Sequence, residues 1–274
     1  MEISGMTQVL GLFGDPVLYS LSPAMHNAAC SYLQLPYVYI PFRVEKNDLP
    51  AAVAAIRALN IKGVNITVPH KEAVIPFLDQ LDESARRCGA VNTIINNDGV
   101  LTGYNTDGVG FIDSLREADF NPAGKKAVIL GAGGAARAVG SALVDSGVKE
   151  ILIINRTVAK AERLARLLDQ HVRFQQLILG STLELADIDI IINTLSIPFK
   201  EQGEWLLNFT SAQRTLFYDL RYGQMPSDFL TFAKTINAPA LDGLGMLLHQ
   251  GARAFSLFTG KEAPLAVMRS ALAL

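Results

Sequence analysis

The stretch 127-AVILGAGGAARAVGSAL-143 decides how this chain of 274 residues is read. Residues 127–130 are an unbroken apolar run suited to a strand buried on both faces, and the glycines behind it open onto an alanine-rich helical pattern ending near Ser146. Gly131 permits a tight turn, Gly133 lets backbone come close to a pyrophosphate, and the helix N-terminus presents free N–H groups and positive dipole. The spacing is GxGGxxxA, with Ala135 or Ala138 where the dinucleotide fingerprint often carries its third glycine. A glycine-rich strand–helix turn with no ligand is the competing interpretation. The next strand bears on the choice. An NAD enzyme places Asp or Glu there for the ribose 2′-OH, whereas this chain has 155-NRT-157. Arg156 alone could be a solvated surface arginine, but its coincidence with the missing acid favours a 2′-phosphate and therefore NADP over NAD.

Working outward, the loop 121-NPAGK-125 precedes this unit, and strands 150-EILIIN-155, 189-DIIIN-193 and 215-TLFYDL-220 with helix 158-VAKAERLARLL-168 continue it. Upstream, strand-like runs at 9–13, 37–41, 61–67 and 90–96 alternate with helical runs at 23–33 and 48–59. Ser22 before Pro23 reads as a helix N-cap, and Asn47 or Asp48 serves the next helix. The turn 97-NDG-99 closes a hairpin into 100-VLTGY-104. A long amphipathic helix spans 243–260, stopped by Gly260, and a shorter one follows Pro264. The expected fold class is α/β, with two domains for a chain of this length.

Half of the residues are hydrophobic and 18% are charged, which supplies well-buried cores. Lys+Arg 24 against Asp+Glu 26 gives 24 − 26 = −2, with no basic block, so a nucleic-acid partner is not expected and a small molecule is. Cys30 and Cys88 lack CxxC or Cys/His spacing, which argues against a metal site or a disulfide framework and for two small buried apolar residues. The start MEISGMTQVLGLF has no basic region and nowhere do 18 apolar residues run together, so neither a signal peptide nor a membrane span is expected, and the cytoplasm is the expected compartment.

Four polar clusters, 20-SLS-22, 65-NITVPHK-71, 89-GAVNT-93 and 103-GYNTD-107, carry more polar residues than α/β loops need. Three follow strands, where open α/β sheets collect ligand groups. Ser20 and Ser22 beside a helix start suit a carboxylate; Asn65, Asn92 and Asp107 suit hydroxyls. Such a set resembles a site for a small polyhydroxy acid, although each residue alone is also explained by capping or turn hydrogen bonds. Lys71, at the end of its run, is either a solvated strand end or a proton donor. His70 is expected to be a surface or helix-start residue without a role.

These pieces, together with 14-GDPVLYSLSPAMHN-27, 63-GVNITVPHK-71, 131-GAGGAARA-138, 216-LFYDLRY-222 and 243-GLGMLLHQ-250 in this order, resemble the shikimate/quinate dehydrogenase family over nearly the whole chain. The resemblance implies NADPH-dependent reduction of 3-dehydroshikimate to shikimate, in aromatic amino acid biosynthesis, with Lys71 and Asp107 as an acid–base pair. It implies carboxylate binding by Ser20, Ser22 and Tyr222, and hydroxyl binding by Asn65, Thr67, Asn92, Asp107 and Gln250. For the cofactor it implies Gly131, Ala132, Gly133, Gly134, Ala135, Asn155, Arg156, Thr157, Leu220, Gly243 and Met246, the last near the nicotinamide or, equally, one more core methionine. A substrate domain of mainly parallel sheet over 1–106, completed by 240–274, would then enclose an inserted Rossmann-type NADP domain over 107–239, in a monomer or homodimer. Tyr19 stands where the family usually has His, Asp15 where it has Asn, and 193-NTLS-196, with Leu195, where it commonly has NATS; none of these departures removes a hydride-transfer residue. Mixed quinate/shikimate activity and a non-catalytic NADP sensor are the alternatives.

Overall fold

The structure, a computed structural model, describes residues 3–168, 172–201, 204–210, 212, 214–223 and 226–273. In chain order the elements begin β1 (Gln8–Gly14), α1 (Ser22–Tyr32), β2 (Tyr37–Arg43), α2 (Leu49–Ala58), β3 (Gly63–Ile66), β4 (Gln80–Leu81), α3 (Glu83–Cys88), β5 (Thr93–Asn97), β6 (Val100–Tyr104) and α4 (Asp107–Glu117). They continue with β7 (Lys126–Leu130), α5 (Gly134–Asp145), β8 (Glu150–Asn155), α6 (Val158–Leu168), β9 (Val172–Gln176), β10 (Ser181–Glu184), β11 (Ile190–Asn193), β12 (Lys200–Glu201), β13 (Glu204–Trp205) and β14 (Leu207–Thr210). The last are β15 (Leu216–Asp219), α7 (Asp228–Thr235), β16 (Ala240–Leu241), α8 (Leu244–Thr259) and α9 (Leu265–Ala271).

The chain divides into two compact units, Met1–Gly110 with Leu247–Leu274, and Phe111–Met246. The breaks fall inside α4 and α8, so Asp107 belongs to the first unit and Met246 to the second.

The first unit holds a six-stranded sheet of order β2-β1-β3-β5-β6-β4. Its β1/β2, β1/β3 and β4/β6 pairs are parallel, but β3/β5 and β5/β6 are antiparallel, so the sheet is mixed. The antiparallel β5/β6 step follows from the tight turn at Asp98 and Gly99, both with positive φ (51° and 91°), which returns β6 beside β5. Phe13, Val53, Ile56, Val64, Ile66 and Ile94 pack one core. Leu10, Leu12 and Tyr39 pack another against Ala254 and Phe258 of α8. Helix α8 ends at Thr259 ahead of Gly260, whose φ of +67° stops the helix in the left-handed conformation.

The second unit is built on a fully parallel sheet of order β16-β15-β11-β7-β8-β9. Strands β7, β8, β11 and β15 are the apolar runs, buried by helices as a parallel sheet requires. The chain runs from β7 out through β8 to β9 and then back to β11 on the other side, making β7/β11 the point where strand order reverses. Among the described residues no helix is long and apolar enough to cross a membrane.

Candidate active site

Lys71 sits in the turn after β3, where His70 N–H bonds the Thr67 carbonyl and the Lys71 carbonyl accepts from Val91 N–H, 2.8 Å. Asp107 opens α4, its own N–H taken by Asn105 Oδ1 at 3.0 Å. These two helix and turn ends bring Lys71 Nζ to 2.6 Å from Asp107 Oδ2, with side chains 15% and 5% exposed. Asp107 Oδ1 accepts from Asn92 Nδ2 at 2.9 Å, so both carboxylate oxygens are engaged. A buried pair of this kind is held by its hydrogen bonds as much as by its charge.

Asn92 is the hub. Its Nδ2 also faces Thr106 Oγ1 (2.8 Å) and Gln250 Oε1 (3.3 Å), while its Oδ1 accepts from Thr106 N–H (2.8 Å) and Thr93 Oγ1 (3.0 Å). Gln250 reaches it because α8 crosses α4 closely: a Cβ on Gly110 would stand 2.5 Å from the Gln250 nitrogen, so only glycine allows the approach. Asn65 is buried beside this hub, its Nδ2 donating to the Asn92 carbonyl (3.1 Å) and Thr93 Oγ1 (3.0 Å). Thr67, two residues on and half-buried, continues the strand through its N–H to the Phe13 carbonyl. The structure thus gathers Asn65, Lys71, Asn92, Asp107 and Gln250 into one hydrogen-bonded cluster.

Ser22 is not the N-cap its place before Pro23 suggests. Leu21 occupies that position with no side-chain cap bond, α1 starts at Ser22 itself, and Ser20 Oγ accepts the Ser22 N–H at 3.3 Å. Proline at the start of the helix leaves one fewer N–H to cap, so the Ser22 hydroxyl is not spent there. Tyr222 lies in the second unit, apart in the chain's division from Ser20 and Ser22. His70 is a correction of the surface reading: it is 1% exposed, and its Nε2 donates to the Val44 carbonyl at 2.7 Å. Cys30 and Cys88 are buried free thiols, and burial pushes the pKa of each up to about 11. Among the described residues no group of three His, Cys, Asp or Glu could hold a metal ion.

In the second unit the ends of β7, β8, β11 and β15 carry the remaining candidates. Gly131 has φ +111°, and a Cβ there would stand 2.4 Å from Thr194 Oγ1 of the segment after β11. Gly133 is exposed with open space around it and no side chain caps α5, which leaves the first N–H groups of Gly134 and Ala135 without an intrachain cap; this cradle fits a dinucleotide phosphate. Ala132 is buried behind it. Asn155 Nδ2 bonds the Thr157 carbonyl at 2.8 Å, ordering the turn on which Arg156 and Thr157 are exposed. Leu220 is tied to β11 by its N–H to the Asn193 carbonyl, and Gly243 bonds the Arg221 carbonyl. Met246 is 7% exposed within the core formed with Phe111, Leu115 and Tyr218.

Asn105, Thr93 and Thr106, inside the polar stretches 89–93 and 103–107 but given no role of their own there, are buried and hold the first cluster. Asp219, fully buried at the end of β15, accepts from Arg221 N–H (3.0 Å), Asn193 Nδ2 (3.2 Å) and the Ser227 hydroxyl, and burial raises its pKa above the usual carboxylate value. A carboxylate closing an apolar strand is the signal that could have found it.

The two units define a mixed α/β protein whose chain carries both a Rossmann-type parallel sheet and a second domain bearing a lysine–carboxylate pair. The chain belongs to the shikimate dehydrogenase family. The profile of the shikimate dehydrogenase substrate binding domain matches residues 12–94, that of shikimate / quinate 5-dehydrogenase 114–219, and that of the shikimate 5'-dehydrogenase C-terminal domain 243–273. A shikimate dehydrogenase (NADP(+)) of Desulforamulus reducens is 47% identical, over 99% of this chain and 96% of its own. A shikimate dehydrogenase solved in complex with NADP+ superposes with a TM-score of 0.87 at 38% identity, covering 99% of this chain and 96% of the other. The Thermus thermophilus enzyme in complex with NADP(H) and shikimate gives 0.84 at 33% identity, covering 97% and 99%.

Proposed function

We propose that the protein is an NADP-dependent shikimate dehydrogenase, reducing the ketone of 3-dehydroshikimate to the alcohol of shikimate, and in reverse oxidising it. The observation that carries this reading is the Lys71–Asp107 pair at 2.6 Å inside the Asn65–Asn92–Gln250 cluster. NADPH, which the Gly131–Ala135 turn and Arg156 would hold, would supply the hydride for the carbonyl carbon. The oxygen then gains negative charge, and the Lys71 ammonium donates its proton to it. Asp107 orients Lys71, and the ligand hydroxyls bind Asn65, Thr67, Asn92 and Gln250. Ser20 and Ser22 are read as carboxylate donors with Tyr222, and Arg156 as the partner of the 2′-phosphate. The first unit is accordingly the substrate domain, the second the NADP domain, and the cytoplasm the compartment.

The test is NADP+ reduction followed by absorbance with shikimate, then with quinate, in the parent and in Lys71→Ala. Lys71→Ala should lower kcat by about 10²–10⁴-fold with shikimate KM changed only a few-fold, because proton transfer at Lys71, from the alcohol in this direction and to the ketone oxygen in the other, acts mainly in the transition state. A parental kcat in Lys71→Ala would return the lysine to the role of a strand-end charge. No turnover of either acid by the parent would remove the enzyme reading altogether.

A further inference from the structure

Tyr39 is 2% exposed and plays no part in the chemistry above, yet it is held more firmly than a core aromatic needs. Asn27 clamps its backbone from both sides, Nδ2 to the Tyr39 carbonyl (2.9 Å) and Oδ1 from the Tyr39 N–H (2.8 Å). His26 stacks on its ring, centroids 4.3 Å apart and planes 3° from parallel, with Phe255 and Phe258 of α8 behind the imidazole. The phenol so fixed points at Asn65, hydroxyl to Oδ1 at 2.8 Å, from a strand separated from β3 by β1.

The orientation of the Asn65 amide is forced by its partners. The Asn92 carbonyl can only accept, so the amide nitrogen must face it. Thr93 Oγ1 gives its proton to Asn92 Oδ1 and therefore also accepts from Asn65. Both Asn65 amide hydrogens are consumed, and Tyr39 occupies one lone pair of Oδ1. An amide has four hydrogen-bonding places, and the one left is an acceptor.

We propose that Tyr39 is a positioning residue that, by donating to Asn65 Oδ1, holds the already oriented Asn65 amide in place with one lone pair free, so that the group recognised at this point of the ligand is a hydroxyl donating a proton and not a carbonyl. This rests on the reading of the first unit as the substrate site.

Tyr39→Phe keeps the ring and the stack and removes one hydroxyl. Shikimate KM should rise about 5–10-fold, the loss of one net hydrogen bond's ordering, with kcat within about two-fold. If Tyr39 acts through Asn65, adding Tyr39→Phe to an Asn65→Ala enzyme should leave KM where Asn65→Ala alone puts it; Asn65→Ser is the second background should the alanine variant not fold. Multiplying effects in the double variant overturn the relay, and so does a Tyr39→Phe enzyme with lowered melting temperature and parental KM, the mark of a purely structural tyrosine. A parental KM in Asn65→Ala and Asn65→Ser overturns it differently, by removing Asn65 from the substrate site while leaving the reaction, measured in the parent, intact.

Discussion

Arg156 stands exposed directly after β8, on a turn whose backbone is ordered by Asn155. If the guanidinium pairs with a 2′-phosphate through charge-assisted bonds, as proposed, Arg156→Ala should weaken NADP+ by about 1.5–3 kcal/mol and leave NAD+ nearly unchanged. Titrations with the two cofactors decide the point, since equal losses would take the phosphate away from Arg156. At His70, adjacent to Lys71, a buried ring donates to the Val44 carbonyl, and His70→Ala strands that acceptor. The variant should lose about 1–3 kcal/mol in urea unfolding yet retain most of its kcat in the cold, opposite to the pattern expected of Lys71→Ala. On these expectations, neighbouring side chains in one quoted motif divide between folding and chemistry. Nothing in the string PHK distinguishes them, because which of two adjacent side chains turns inward is set by the turn that follows β3 and by the strand end at Val44.

At the scale of elements, the glycine turn between β7 and α5 depends on backbone freedom and on close approach together. Gly131→Ala would need a left-handed residue at φ +111° and would push a Cβ to 2.4 Å from Thr194 Oγ1. We expect a loss of about 1–3 kcal/mol in stability with weakened NADP+ binding, read by thermal unfolding and cofactor titration. A parental affinity for NADP+ would show that the turn does not hold the phosphate. The elements with buried faces were legible: β7, β8, β11 and β15 as apolar runs, α6 and α8 by their periodicity, and the β5–β6 hairpin by Asn-Asp-Gly. Strands β9, β10 and β14 and helix α7 went unread. In β9, 172-VRFQQ-176, four of five residues are exposed, so an edge strand carries no apolar run to betray it. The antiparallel direction of β5 against β3 was equally invisible, since a strand buried on both faces reads the same in either direction.

For the whole molecule, acid should be the weak flank. His26 is fully buried with both ring nitrogens unpartnered, and desolvation lowers its pKa to about 3 from 6.5. Between those values the unfolded chain binds a proton that the folded chain refuses, so stability falls as pH drops from about 6.5 toward 3, with a slope of up to about 1.4 kcal/mol per pH unit. Asp219, whose pKa is raised, works in the opposite sense. Urea unfolding at pH 7 and pH 5 in the parent and in His26→Phe isolates the histidine: the parent should lose about 2 kcal/mol more than the variant. Equal losses would show that His26 titrates normally.

The sequence by itself determined the α/β class, the alternation of strands and helices, the glycine turn with its arginine after the next strand, and the motifs that mark the family. All of these are local, written in runs of fewer than about twenty residues through propensity, periodicity and turn chemistry. Only the tertiary structure decided that Gln250 meets Asn92 across 158 residues of chain, that Asp107 closes on Lys71, that His70 and His26 are buried, and that Tyr39 reaches Asn65 past an intervening strand. Those contacts join side chains far apart in sequence, and their geometry comes from which elements pack together: the crossing of α4 and α8 at Gly110, and the strand order β2-β1-β3. A residue's neighbours along the chain set its backbone, but its partners in space set its chemistry, because desolvation and hydrogen bonding are properties of the packed surroundings.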